Sequence, residues 1–228
     1  MSLAQLFFSF QSSNKKDPFD VDDFVFLPEN FAAIKFLKQF LAQEHFSRSH
    51  FTSLVIKGSE SCGKTHLLHI FAKNSCATFL KAEEVSHLNF ANYFQKNKFY
   101  ILENFDQIKN EELLLNLINS ASEACSFLIL TTSEEANFKL KDLTSRLKNI
   151  FTTEIKNPNH EAMKQLLVNG FARRQIKISN QLIDFISDNI ERTYAAIFLA
   201  IKRVEFFCSE SGKNIKMKDV KELFVAAK

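Results

Sequence analysis

The sequence has little glycine and proline, four and three residues among 228, and it has no tryptophan. Its four cysteines, Cys62, Cys76, Cys125 and Cys208, lie far apart and form no C-x-x-C pair. Zinc sites and disulfide frameworks depend on characteristic cysteine spacings. The cysteine pattern therefore suggests neither, and it fits a reducing cytosol.

The sequence also has no large excess of positive or negative charge and no long apolar run. The formal net charge of +3 is too small to indicate a polyanion-binding surface. Four lysines near the C-terminus are interpreted as a solvated helix face, although contact with DNA stays open. They are Lys213, Lys216, Lys218 and Lys221. No run is long enough to span a membrane, and no basic leader precedes the N-terminal apolar residues. We therefore expect a cytoplasmic protein that does not enter a membrane.

The first two thirds of the chain alternate between strand and helix patterns. Apolar residues at helical spacing predict a helix over residues 28–43. Short apolar runs predict strands at 53–57, 76–82, 98–105 and 125–133, and helices follow the first strand and fill 110–124. Strands that alternate with helices imply a parallel sheet covered on both faces.

The pattern changes near Lys156, after which the sequence shows no convincing strand. Helices are predicted over 158–175, 179–190 and 193–211, with a shorter one over 216–227. The N-terminal residues differ again, because an apolar stretch is followed by a polar one that is typical of a linker. The predicted domains are therefore 1–17, a peptide and linker, 18–156, an α/β base, and 157–228, an all-helical domain.

The loop after the first strand has the sequence GSESCGKT, which matches G-x-x-x-x-G-K-[ST]. In such loops glycines let backbone N–H groups face phosphates, the lysine reaches the β/γ oxygens, and the threonine hydroxyl binds Mg²⁺. Because the motif follows a strand and begins a helix, we favour nucleotide binding over a relict loop that binds nothing. The candidate residues are Gly58, Ser59, Glu60, Ser61, Cys62, Gly63, Lys64 and Thr65.

A P-loop enzyme also needs acids at the end of a second strand. The third predicted strand ends in YILENFD, which places Glu103 where the magnesium-side acid belongs and Asn104 directly after it. An amide can orient water but cannot accept its proton, so hydrolysis should be weak. Asp106 could substitute, but it lies farther along the strand. We expect the chain to hold ADP or ATP with Mg²⁺ more than to hydrolyse it, with Thr65 and Glu103 as metal ligands.

The continuation THLLH after the glycine-rich loop resembles the bacterial replication initiator DnaA. Further stretches resemble that family in the same order: the segment before the P-loop, the Walker B strand, the sensor I strand, the arginine-finger box and the sensor II helix. These are residues 23–37, 100–108, 128–133, 143–147 and 191–205. The resemblance covers nearly all of 23–205. It implies an AAA+ fold, an α/β P-loop base with a parallel sheet flanked by helices and a small all-helical lid.

The resemblance also assigns roles outside the loop. It implies that Phe24 and Val25 lie at the adenine pocket and that Arg192 is the sensor II arginine. It further implies that Arg146, in TSRL, is an arginine finger that acts on a neighbour's nucleotide. The alternatives from the residues alone are a surface salt bridge for Arg146, and pairing of Arg192 with Glu191 or Asp188. His66 and His69 are interpreted as packing residues, because no third metal ligand is near them in sequence.

Within this family the chain is most similar to Hda-like regulators, since it has neither the long N-terminal part of DnaA nor its DNA-binding domain. In that group a short N-terminal peptide binds the sliding clamp, and AQLFFSF is similar to it. Its candidate clamp-binding residues are Gln5, Leu6, Phe7, Phe8 and Phe10. The alternative for this stretch is an edge strand on the protein's own core. The resemblance implies DnaA and the clamp as partners, with DNA reached through the clamp.

The implied function is stimulation of ATP hydrolysis on DnaA, which prevents a second round of initiation. Two departures from DnaA, Asn104 after Glu103 and Ser133 at the end of the sensor I strand, weaken the case for an autonomous ATPase. Two other functions stay open: an ATP-driven loader that turns over alone, and a scaffold with an inactive P-loop. The sequence also leaves open whether the chain forms a homo-oligomer.

Overall fold

The computed structural model describes residues 24–42, 52–133, 137–211 and 215–224. The chain divides into two compact units at Ile155. The α/β unit contains the described residues up to that point except Ser59–Cys62, and the helical unit combines Ser59–Cys62 with the described residues from Lys156 onward. The predicted clamp-binding peptide, Gln5 to Phe10, lies outside the described residues.

The α/β unit contains five strands and the helices between them. Its helices are α1 (Phe31–Ala42), α2 (Lys64–Ser75), α3 (Phe90–Tyr93), α4 (Glu111–Glu123) and α5 (Lys141–Lys148). Its strands are β1 (Ser53–Gly58), β2 (Thr78–Leu80), β3 (Phe99–Leu102), β4 (Phe127–Thr132) and β5 (Phe151–Ile155). Two short 3-10 turns, Val85–His87 and Phe105–Gln107, lie in the connections.

The strands form one sheet in the order β2-β3-β4-β1-β5, and every pairing is parallel. All residues of β3 and β4 are buried, as expected for strands whose two faces are both covered. The predicted parallel sheet flanked by helices is confirmed. Because β4 lies between β1 and β3, the loop after β1 and the acid after β3 meet across the end of β4.

The core of the α/β unit forms where α4 packs on the sheet. Leu114, Leu117, Ile118 and Ala121 recur at helical spacing and are all buried. Burial of each larger apolar side chain stabilises the fold by about 1.5–3 kcal/mol. Asn110 begins the helix, because its Oδ1 accepts the N–H of Leu113 at 3.0 Å.

The helical unit contains α6 (His160–Arg173), α7 (Asn180–Asn189), α8 (Tyr194–Ser211) and α9 (Met217–Phe224). Their apolar faces share one cluster that includes Phe171, Ile186 and Val204. The axes of α6 and α8 approach closely at Gly170, where an added Cβ would lie 2.3 Å from Ile201 Cδ1. The predicted small all-helical domain is confirmed as part of the fold. In the described ranges, no helix combines the length and apolar character needed to cross a membrane.

Candidate nucleotide-binding site and a separate arginine

The turn into α2 has the backbone geometry of a phosphate-binding loop. Gly63, at the N-cap of α2, has φ 93°, a left-handed conformation that glycine adopts without strain. Because the N-cap residue has no side chain, the first N–H groups of α2 are not capped by it. The N-terminus of a helix with free N–H groups and a positive dipole end attracts anions such as phosphate.

Lys64 joins the two ends of this loop. Its side chain is buried, and Nζ donates a 2.7 Å hydrogen bond to the carbonyl oxygen of Gly58, the last residue of β1. A buried ammonium group needs strong acceptors. Phosphate oxygens at the N-terminus of α2 would supply them, which is the role predicted for Lys64.

Thr65 and Glu103 are in direct contact although they are 38 residues apart. Thr65 Oγ1 donates a 2.6 Å hydrogen bond to Glu103 Oε1 across the end of β4. Hydroxyl and carboxylate oxygens are hard ligands of the type that Mg²⁺ prefers, and Mg²⁺ usually keeps waters and phosphate oxygens as well. The described residues contain no cluster of three His, Cys, Asp or Glu that could hold a metal alone. The pair therefore suits a magnesium ion that arrives with a nucleotide.

Asn104 follows this acid in a constrained position. Its backbone is left-handed, with φ 50° and ψ 51°, and its N–H donates a 3.1 Å hydrogen bond to Thr131 Oγ1. Thr131 is fully buried at the end of β4. Sequence reasoning missed Thr131, although a threonine pair that ends an otherwise apolar strand was a usable signal. Asp106, in the next turn, has a buried Oδ1 that accepts no hydrogen bond in the described structure.

Phe24 and Val25 lie beside the start of α2. The Phe24 ring is buried and meets His66 edge-on, with ring centroids 5.3 Å apart. A Cβ added to Gly63 would lie 3.5 Å from Phe24 Cε2. Asn30 holds this segment in place, because its Nδ2 donates to the Val25 carbonyl at 2.9 Å. The structure thus places an aromatic wall next to the phosphate-binding turn.

The remaining loop residues belong to the helical unit. Ser61 has φ 61°, Cys62 is buried, and Glu60 is exposed. Ser59 Oγ donates a 2.9 Å hydrogen bond to Asn157 Oδ1.

Arg192 is exposed and lies two residues before α8. Neither of its alternative partners pairs with it in the described chain. Asp188 is instead 3.7 Å from His160 Nε2.

Arg146 lies near the amino ends of the strands, whereas the phosphate-binding turn lies at their carboxyl ends. It is half-buried on α5 and lines a pocket with Thr52 and Ser53, at the amino end of β1. Gly58 ends the same strand, and five strand residues span about 17 Å. The Arg146 guanidinium makes no ion pair or hydrogen bond with a described residue, so the alternative of a surface salt bridge is not seen in this part of the chain. An arginine side chain is too short to cross that distance to the chain's own P-loop.

Several solved structures have the same arrangement of strands and helices. Domain III of the Thermotoga maritima replication initiation protein DnaA superposes with a TM-score of 0.71 at 17% identity, covering 92% of this chain and 98% of that one. The fold is the AAA+ fold. The Thermotoga maritima RuvB Holliday junction branch migration motor gives a TM-score of 0.68 at 16% identity, covering 92% of this chain and 72% of RuvB.

A replication initiator DnaA bound to AMPPCP and single-stranded DNA gives a TM-score of 0.67 at 16% identity, with 86% of this chain and 69% of that chain covered. No protein-family model matches the sequence, and no curated protein matches it either. At these identities the likeness establishes the AAA+ fold, and function must be argued from the site.

Proposed function

We propose that this protein is an Hda-like regulator that binds an adenine nucleotide and presents Arg146 to ATP held by DnaA. The observation that carries the proposal is the separation of the two sites. The P-loop lies at the carboxyl ends of the strands, and Arg146 lies near their amino ends. Arg146 has no ion-pair or hydrogen-bond partner in the described structure. An arginine near the amino ends cannot reach the chain's own P-loop, which supports a role on the nucleotide of another molecule.

The chain's own site suits retention of a nucleotide. Lys64, Thr65 and Glu103 provide the cation and the magnesium-side oxygens, and Phe24 provides an apolar wall for a base. Mg²⁺ bound there would neutralise phosphate charge. Asn104 cannot accept a proton from water, which favours slow hydrolysis in this site. The AAA+ neighbour solved with AMPPCP supports an adenine nucleotide as the ligand.

The chemistry that we propose takes place on DnaA. A water oxygen bonds to the γ-phosphorus, the bond to the bridging oxygen breaks, and ADP and phosphate are released. The Arg146 guanidinium would neutralise charge that develops on the phosphoryl oxygens. Arginine fingers of this kind accelerate hydrolysis by about 10³–10⁵. The result is DnaA bound to ADP, which is the inactive form that the resemblance implies.

The clamp contact rests on sequence alone. Gln5 would anchor the N-terminal peptide through its amide, while Leu6, Phe7, Phe8 and Phe10 would fill an apolar groove on the sliding clamp. The clamp would then hold the regulator on DNA near DnaA.

A second candidate is an ATP-driven motor or loader that works alone. The contact between Thr65 and Glu103 favours it, because a magnesium site of this kind is also what a hydrolysing enzyme needs, and RuvB shares the fold. Steady ATP turnover by the purified protein, with no partner present, would support this function over the regulator.

The proposal is tested by reconstitution. DnaA is loaded with ATP labelled at the γ-phosphate, and hydrolysis is followed with this protein, ADP, and clamp loaded on DNA. We expect rapid hydrolysis only when all components are present, and slow hydrolysis when any one is omitted. Hydrolysis at the rate of DnaA alone in the complete mixture would overturn the proposal.

A further inference from the structure

The pocket that contains Arg146 has a volume of about 200 Å³ and a polar lining on one side. Its polar residues are Thr52, Ser53, Ser122, Arg146 and Asn149, and Ile118 and Ile150 form its apolar walls. They come from the start of β1, from α4, and from α5 with the turn that follows it. None of the residues that line this pocket is acidic, so the guanidinium is the only formal charge among them.

The polar side chains of this pocket are open to a ligand. In the described structure, none of the five makes a hydrogen bond or an ion pair. None of their polar atoms is among the described buried atoms without a partner, so water reaches all five. Asn149 is exposed, and Thr52, Ser122 and Arg146 are half-buried. Four neutral polar groups and one cation that line a water-accessible cavity, with no acidic residue among the lining residues, indicate a site for an anion.

The size and geometry restrict the anion. A water molecule in the liquid occupies about 30 Å³, so the cavity holds a phosphoryl group with a few waters. Pockets for whole drug-sized ligands occupy about 300–1,000 Å³. Donors that approach from three separate elements suit a tetrahedral group with oxygens in several directions. A carboxylate, whose two oxygens lie in one plane, would leave some of them unused.

The C-terminal ends of two helices near the pocket weaken the binding of an anion. Ser122 is in the last turn of α4, and Asn149 is the C-cap of α5, so both helices direct their negative dipole ends toward this region. The full charge of Arg146 offsets these partial charges. We therefore expect free phosphate to bind weakly, and a phosphoryl group delivered by a docked partner to bind well.

We propose that Ser122 and Asn149 act with Arg146 as a receptor for the terminal phosphoryl group of a nucleotide held by the partner. This inference rests on the proposed function, and it adds residues that hold the phosphoryl oxygens while the guanidinium neutralises them. Ser122 and Asn149 are thus positioning residues for hydrolysis in trans.

The pocket is tested first without a partner. The protein is saturated with ADP, so that its own P-loop is occupied, and titrated with inorganic phosphate at constant ionic strength. NMR follows the Arg146 side-chain Nε–H and the backbone amides of Ser122 and Asn149. We expect these signals to shift together and to saturate at millimolar phosphate, and the amide shifts to vanish in Arg146→Ala. Signals that do not move, or that move equally in Arg146→Ala, would overturn the proposal.

The second test uses single-turnover hydrolysis of ATP bound to DnaA. We expect Ser122→Ala and Asn149→Ala each to lower the maximal rate constant about tenfold, the effect of one hydrogen bond to a charged group. The protein concentration that gives half the effect should not change. Ser120→Ala, on the same helix but outside the pocket, is the matched control and should behave as wild type, as should the melting temperature of all three variants.

The two tests separate this inference from the proposed function. Normal stimulation by both pocket variants would overturn the role of Ser122 and Asn149 while the regulator stands. Absence of stimulation by the wild type would remove the proposed function and, with it, the nucleotide held by a partner. The phosphate titration would then decide only whether the pocket is an anion site.

Discussion

Asn104 directly follows Glu103, where we expect a hydrolysing P-loop enzyme to carry a base, and its backbone conformation is one that few residue types accept. Its φ of 50° is tolerated best by glycine, asparagine and aspartate. Aspartate has nearly the same size and can accept a proton. We propose that Asn104 limits hydrolysis, and this residue can be changed to aspartate with little strain.

We predict that Asn104→Asp raises the protein's own ATPase rate by about 10²-fold, a typical contribution of a general base. The measurement is steady-state phosphate release by the purified protein. Asn97→Asp is the matched control, because Asn97 is also left-handed (φ 61°) but exposed before β3. An unchanged rate in Asn104→Asp would mean that Asn104 does not limit hydrolysis.

Lys64 links the loop to β1 through the Gly58 carbonyl, and we propose that it also binds phosphate. We predict that Lys64→Met abolishes most of the rise in melting temperature that ADP causes. A ligand at 100 times its Kd stabilises the folded state by about 2.7 kcal/mol, which differential scanning fluorimetry detects readily. Lys35→Met, at an exposed position on α1, should keep the full shift. A full shift in Lys64→Met would argue against the P-loop as the nucleotide site.

For single residues, the sequence was informative where the residues of a site are close together along the chain. The glycines, Lys64 and Thr65 are close in sequence, so one motif identifies them. Thr131 could not be found in that way, because its contact with Asn104 depends on the pairing of β3 with β4.

Arg146 lies on α5, and the carboxylate of Glu111 stabilises the N-terminal end of this helix. The Glu111 side chain accepts hydrogen bonds from the N–H groups of Leu140, at 2.6 Å, and Lys139, at 3.1 Å. These residues immediately precede α5, whose N-cap Leu140 has no capping side chain. The hydrogen bonds from Leu140 and then Lys139 lower the pKa of Glu111 from its ordinary 4.5. Glu111, at the start of α4, thus supplies the missing cap of α5.

We predict that Glu111→Gln loosens α5 and reduces stimulation in trans, because an amide is a weaker acceptor than a carboxylate. Hydrogen exchange should become faster over 141–148. A lowered pKa stabilises the folded state above the ordinary value of 4.5, and this contribution is lost as the pH falls below it. Wild type should therefore lose this protection on acidification, and Glu111→Gln should not. Glu112→Gln, at the exposed neighbouring position, is the control; equal exchange in both variants would contradict the capping role.

The secondary structure shows which elements the sequence could predict. The strands β1, β3 and β4 are apolar and buried, so their patterns are clear, whereas β5 was missed. Residues Phe151–Ile155 alternate between buried and exposed, and three of the five are polar. β5 is also an edge strand. The eight-residue α5 was missed as well, because it is polar and buries only Leu143.

In the α/β unit as a whole, the P-loop and Arg146 lie far apart. This distance determines how two molecules must associate if the arginine of one is to contact a nucleotide in the P-loop of the other. A molecule that offers an arginine at one edge and a nucleotide at the other makes head-to-tail contacts, which close into rings or continue as filaments. An arginine donor that meets a nucleotide-bearing partner uses one such contact. The strand order that creates this separation could not be read from the sequence, since alternating strands and helices fit several sheet orders.

The N-terminal peptide is expected to recruit the protein to the clamp without contributing to the folded core. We predict that the double variant Leu6→Ala, Phe8→Ala loses clamp binding in a pull-down, because the apolar groove would lose its anchors. The melting temperature should be nearly unchanged. Substitution of Ser12 and Ser13 by alanine, in the predicted linker, should affect neither. A large loss of stability in the double variant would instead indicate an edge strand on the protein's own core.

The central claim, that Arg146 serves a nucleotide on another molecule, is tested most directly by single-turnover hydrolysis of ATP bound to DnaA. Wild type, Arg146→Ala and Lys148→Ala, which removes a neighbouring charge from α5, are compared at saturating protein with clamp and DNA present. We predict that Arg146→Ala lowers the rate by about 10³-fold and that Lys148→Ala stays near wild type. Arg146→Ala that stimulates hydrolysis as well as wild type would contradict the account.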